Sequence, residues 1–170
     1  MKISRGFTRL VLVMLTGLLL ATAVSASEVT ERNKQIVKLQ AQAYNDRDLD
    51  LLAQTTAEDL LRHCQATPDI QVESLDDFIA FLKSDWEAIP DAVLTITQMV
   101  AEGDKVAVFA TYQGTQSGPM GPFPPSNRTA SLDLIAIFRI ENKKVAEIWV
   151  TWDNLAFLSQ LGHFSPPQEG

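Results

Sequence analysis

Lys144-Val145-Ala146-Glu147-Ile148-Trp149-Val150-Thr151-Trp152-Asp153, set behind the turn Glu141-Asn142-Lys143 and the apolar run Ser131 to Ile140, decides the fold of this 170-residue chain. Both arms are rich in the β-branched and aromatic residues that suit a pleated, half-buried surface, and a short polar turn joins them, so they read as a hairpin of two long strands. Upstream, Ala92 to Ala101 and Lys105 to Thr115 have the same texture around Glu102-Gly103-Asp104 and form a second hairpin. Between the hairpins, Gly118, Pro119, Gly121, Pro122, Pro124 and Pro125 make a loop stiffened by proline and bent by glycine.

Before Pro90 the periodicity changes from two to 3.6. Ile36, Val37, Leu39, Ala43 and Tyr44 recur at helical spacing within Val29 to Tyr44. Asp48 then caps a short second helix through Leu49, Leu51, Leu52 and Ala53, and Asp59 to Cys64 runs extended with His63 near its end. Ser74, followed by Asp76 and Asp77 at the positive end of the dipole, starts a third helix. Its apolar face is Phe78, Ile79, Phe81, Leu82 and Trp86, and Ile89-Pro90 ends it. Asn154 to Leu161 closes the chain as a short helix stopped by Gly162. Helices first and long antiparallel strands after them predict an α+β fold, a curved sheet packed on about three N-terminal helices with a cavity between the layers.

Lys2, Arg5 and Arg9 precede an uncharged apolar run, Leu10 to Leu20, and small residues ending Val24-Ser25-Ala26. This is the pattern of a secretory signal cleaved after Ala26, and the run is too short for a spanning helix. The expected organisation is therefore a signal peptide at 1–26, one domain at 27–164 and a flexible tail at 165–170, exported to the periplasm or beyond, with no stable membrane anchor after signal removal. Cleavage removes three cations and no anions, taking the formal charge from −7 to −10. Such an acidic domain is a poor partner for nucleic acid, whose phosphates call for clustered Lys and Arg. The lone Cys64 leaves no internal disulfide, and its neighbour His63 points to the opposite strand face, which excludes a thiol–imidazole pair. With only His63 and His163 and no ligand spacing, no metal site is expected.

Several segments in order resemble one family. Ile89-Pro90-Asp91 with Val100-Ala101-Glu102-Gly103-Asp104-Lys105-Val106, the loop Gly118 to Arg128, Phe138-Arg139, Lys144 to Trp149, and Leu158 to Gly162 are similar to the signature of the SnoaL-like polyketide cyclases, or ester cyclases, from about Gln35 to Gly162. The resemblance implies the cone-shaped nuclear transport factor 2-like fold, a homodimer, and an enzyme without cofactor. Its catalytic carboxyl, raised in pKa by apolar walls, moves a proton during an aldol-type ring closure. In characterised cyclases that aspartate directly follows the strand tryptophan, whereas here Val150 follows Trp149.

The nearest acid is Asp153, three positions on, where an odd offset puts it on the other strand face unless the strand bulges or has ended. Asp153 as proton carrier with His63 assisting is the catalytic expectation; helix capping by Asp153 and a structural His63 are the plainer alternatives. Trp86, Tyr112, Met120, Phe123, Trp149 and Trp152 are the candidates to touch a small apolar ligand, although aromatics at strand spacing more often simply fill a core. Asp133 in its apolar strand calls for a partner, and Arg139 is expected to pair with Glu147. The function expected is acid–base chemistry on a small apolar carbonyl compound, with a non-catalytic binding module or a structural dimer as alternatives. A biosynthetic cyclase works beside its synthase, so export argues against polyketide assembly.

Overall fold

The computed structural model describes residues 25–164, and the expected signal peptide up to Val24 and the tail from Ser165 lie outside them. Helix α1 (Ala26–Asp46) is capped by Ser25, whose hydroxyl accepts from the Glu28 amide while Glu28 returns a bond to the Ser25 amide. Asp48 caps α2 (Leu49–Thr55), and β1 (Thr56–Cys64) follows without a loop. Ser74 caps α3 (Leu75–Ala88), with Asp76 and Asp77 in its first turn. The strands β2 (Val93–Glu102), β3 (Lys105–Thr115), β4 (Thr129–Glu141) and β5 (Lys144–Trp152) lead to a last helix, α4 (Asn154–Gln160).

The five strands form one sheet in the order β1-β5-β4-β3-β2, antiparallel throughout except that β1 runs parallel to β5. The β4–β5 hairpin turns on Asn142 and Lys143, at φ 50° and 63°, the pair of positive angles that a two-residue turn matched to strand twist requires. Register breaks between Ile96 and Gln98 and between Arg139 and Ile140 bend the long strands.

Strict alternation sorts the sheet into two faces. Val106, Val108, Ala110 and Tyr112 of β3 stand opposite Phe138, Ala136, Leu134 and Leu132 of β4, and Ile148, Val150 and Trp152 of β5 continue that face. This side packs on the helices through a core that includes Val37, Leu52, Leu60, Val106 and Val145, all essentially without solvent contact. Amide side chains of α1 tie the layers together. Asn45 pairs with the backbone of Leu94 in both directions, at 2.8 and 2.9 Å, and Asn33 donates to the Gly103 carbonyl at 3.0 Å.

On the outer face Arg139 meets Glu147 at 2.9 Å, as the sequence suggests. Asp133 also faces outward, where Thr111 donates to it at 2.8 Å, so it places no charge in the core. Among the described residues, no helix is long and apolar enough to cross a membrane.

Candidate active site

Between α1, α3, the inner sheet face and the glycine-proline loop lies a cavity of about 360 Å³. Most of its wall is hydrocarbon, from Val37, Phe78, Leu82, Leu94, Ile96, Leu134, Phe138 and Val150 among others. The lining residues Ile70, Ser84 and Gly121 are exposed and mark its mouth. The loop is fixed there because Gly118 donates to the Ala88 carbonyl at 3.0 Å, an approach so close that a Cβ would stand 2.0 Å from the Glu87 carbonyl oxygen. The fully buried Gln116 holds the loop from inside, donating to the carbonyls of Gly118 and Pro124 and accepting from His163 at 2.6 Å.

The polar centre of this wall is Asp85. It follows Phe78 by seven residues and Leu82 by three, so the helical repeat that buries those side chains also turns a carboxylate into the cavity. Tyr44 donates to Oδ2 at 2.5 Å and Tyr112 donates to Oδ1 at 3.0 Å. Burial pushes the Asp85 carboxyl above the ordinary aspartate value of 3.8, opposed by the two phenol bonds and by the more distant charges of Arg62 and Arg47. Burial and the facing carboxylate push both phenols above the ordinary tyrosine range, so they remain protonated donors.

Arg62 is the cationic member of the lining. It lies on the inward face of β1 in register with Ile148, and it is 9% exposed. Its guanidinium stands 4.4 Å from the Phe81 ring centre and 6.0 Å from that of Trp152. Nη1 has no hydrogen-bond partner, and neither does the buried hydroxyl of Thr67, also in the lining. Desolvation lowers the Arg62 pKa, partly offset by the adjacent Cys64 sulfur and then by Asp85.

The residues expected from sequence divide between cavity and surroundings. Tyr112, Met120 and Trp152 line the cavity. Trp86 packs beside it on Tyr44 at 5.7 Å, Phe123 stacks on His163 at 4.7 Å, and Trp149 faces outward with His63 stacked on it at 5.4 Å. His63 bonds Glu147 at 2.8 Å on the outer face and is half exposed, one residue out of phase with the inward Arg62. Asp153 stands just past the end of β5 as the N-cap of α4, its Oδ1 accepting from the Ala156 amide at 2.9 Å, outside the cavity lining. The structure therefore does not bring Asp153 and His63 together.

Asp153→Ala is expected to cost about 1 kcal/mol in thermal or denaturant unfolding, while Asp153→Asn, an equally good cap, stays near wild type. Asp85, Tyr44 and Arg62 escaped the sequence reading as site residues. The available signal was a carboxylate at i+7 on the apolar face of α3.

A family model for SnoaL-like polyketide cyclases matches residues 34–161. Among curated proteins none matches. Solved structures with the same fold include TsrD of Streptomyces laurentii, 28% identical with a TM-score of 0.71, covering 79% of this chain and 97% of that one. AclR of Streptomyces galilaeus, provisionally described as a hydroxylase, is 25% identical with a TM-score of 0.69 over 85% of this chain and 87% of its own. IdmH of Streptomyces antibioticus, provisionally described as a polyketide cyclase, shares the fold at 24% identity and a TM-score of 0.68, over 76% of this chain and 98% of its own.

Proposed function

The chain belongs to the SnoaL-like polyketide cyclase family, and from that premise we propose that it moves protons on a small apolar carbonyl compound, with Asp85 as the acid–base group. The observation that carries this reading is a carboxyl group set in a hydrocarbon wall, raised in pKa, with each oxygen held by a phenol. A desolvated carboxylate is a strong base toward a carbon acid, and the acid it becomes returns the proton within the same site. Tyr44 and Tyr112 are positioning residues, since they fix both oxygens and leave the carboxylate its remaining lone pairs for substrate. The family position of the acid is filled by Val150, which lines the cavity as hydrocarbon, so Asp85 replaces it from α3 rather than from β5.

Exchange of the α-protons of 2-acetonaphthone in deuterated water, followed by NMR, tests the reading. Catalysed exchange that rises with pH through the Asp85 titration supports it. A protein that binds the ketone and exchanges nothing at any pH supports instead a binding module, the alternative that Val150 favours.

The sequence pattern of residues 1–26 supports export, and cleavage after Ala26 takes away the Ser25 cap, so α1 of the mature protein starts at Ser27 with a frayed first turn. The outer sheet face carries Val100, Phe109, Ile135 and Ile137 exposed, which supports a homodimer formed through it. The mass of the exported protein, measured intact and in native solution, is expected to start at Ser27 and to equal two chains. A retained leader or a monomer contradicts the respective half.

A further inference from the structure

We propose that the cavity ligand is an apolar carboxylate whose charged end is received by Arg62. This deepens the reading of the cavity as the functional site and rests on it. Removing a guanidinium from water costs several kcal/mol unless hydrogen bonds replace the lost hydration, and buried Arg side chains are accordingly almost always paired. Arg62 is only partly compensated, by the Cys64 sulfur and the more distant charge of Asp85. It is 9% exposed, forms no ion pair among the described residues, and leaves Nη1 without a partner. The carboxylate in the cavity, Asp85, accepts from Tyr44 and Tyr112 and forms no hydrogen bond or ion pair with Arg62 among the described residues. Rings of Phe81 and Trp152 flank the guanidinium and stabilise its charge, but a ring face does not satisfy the in-plane N–H donors.

The missing acceptor is therefore expected from the ligand. A carboxylate matches a guanidinium edge in geometry, its two in-plane oxygens facing two N–H donors, and adds a single negative charge. A phosphate dianion leaves an uncompensated charge in a hydrocarbon wall and fits poorly for that reason. The orphan Thr67 hydroxyl, in the same lining, is a second donor available to the ligand's polar end. The rest of the wall is apolar, and about 360 Å³ holds a body of one or two fused rings. Arg62 thus serves as a specificity residue that selects acids over their neutral analogues, while proton transfer stays with Asp85.

Binding of 2-naphthoate and of its neutral isostere 2-naphthamide, measured by calorimetry on the wild-type protein and on Arg62→Met, tests this. Wild type is expected to bind naphthoate about 10- to 100-fold more tightly than the amide, the usual worth of a charge-assisted hydrogen bond. Arg62→Met is expected to lose that preference, to keep amide binding, and to melt no lower than wild type, because it removes an unpaired buried cation rather than a structural bond. Naphthoate bound no more tightly than naphthamide by wild type, including no binding of either, overturns the proposal without recourse to any variant. An Arg62→Met protein that melts far lower while keeping the naphthoate preference also overturns it. Ketone exchange by wild type separates the two readings: naphthoate selectivity in a wild-type protein that exchanges no ketone protons leaves the Arg62 subsite standing and removes the catalytic role of Asp85.

Discussion

Asp85→Asn is expected to lower the catalysed exchange of 2-acetonaphthone by about 100- to 10,000-fold, the usual contribution of a positioned acid–base group. The amide has the shape of the carboxyl and keeps one acceptor for a phenol, so the fold and the cavity persist, and ligand binding should change far less than the rate. The same variant carries a stability signature. Because the folded-state pKa of Asp85 is raised above the unfolded value near 3.8, the folded protein holds this proton more firmly than the unfolded chain does. Stability from the neutral carboxyl is fully present below the unfolded pKa and is lost as pH rises through the folded one, about 1.4 kcal/mol for each unit of elevation. Asparagine has no such loss. The melting temperature of Asp85→Asn minus that of wild type is therefore expected to increase between pH 4 and pH 8. A flat or falling difference contradicts a raised pKa.

Replacing both Tyr44 and Tyr112 by Phe should have the next largest effect. Each phenol donates to one oxygen of the Asp85 carboxylate, and these bonds oppose the desolvation that raises its pKa. Without them the charged form loses both hydrogen bonds it receives from the described residues, so the pKa climbs further and the pH–rate profile moves to the alkaline side. Leaving a buried acceptor unpaired costs about 1–3 kcal/mol, more for a charged group. The double variant is expected to lose less than twice the single-variant cost at pH 5, because a protonated carboxyl escapes part of the penalty, and to approach additivity at pH 8. Thermal melts of the two single variants and the double variant at both pH values give that comparison. Full additivity at pH 5 contradicts a shared carboxyl that takes up a proton.

The sheet was legible because period-two patterning, two polar turns and a proline-glycine loop repeat one message over sixty residues. The helices were legible from Ser74 and Asp48 as caps and from the apolar stripe of α3. The site was not, for reasons that are physical. Asp85 occupies an apolar stripe position, and a single carboxylate there reads as an irregularity until the partners Tyr44, from α1, and Tyr112, from β3, are in place.

Which of Arg62 and His63 faces inward is set by the parallel pairing of β1 with β5, Arg62 on Ile148 and His63 on Trp149, and a six-residue run leaves that phase open. Asp153 lies three positions beyond the residue that follows Trp149, and the sequence alone leaves open whether the strand has ended before it. The strand stops at Trp152, and the first turn of α4 takes its carboxylate as a cap.

The central claim is that Asp85 is an acid–base group tuned by an apolar cavity, and the titration of its own carboxyl tests it most directly. The carboxyl carbon resonance of Asp85, assigned by its loss in Asp85→Asn and followed from pH 3 to pH 9, is expected to titrate with a midpoint clearly above 3.8. A midpoint at or below that value, the behaviour of an ordinary hydrogen-bonded surface aspartate, would contradict it.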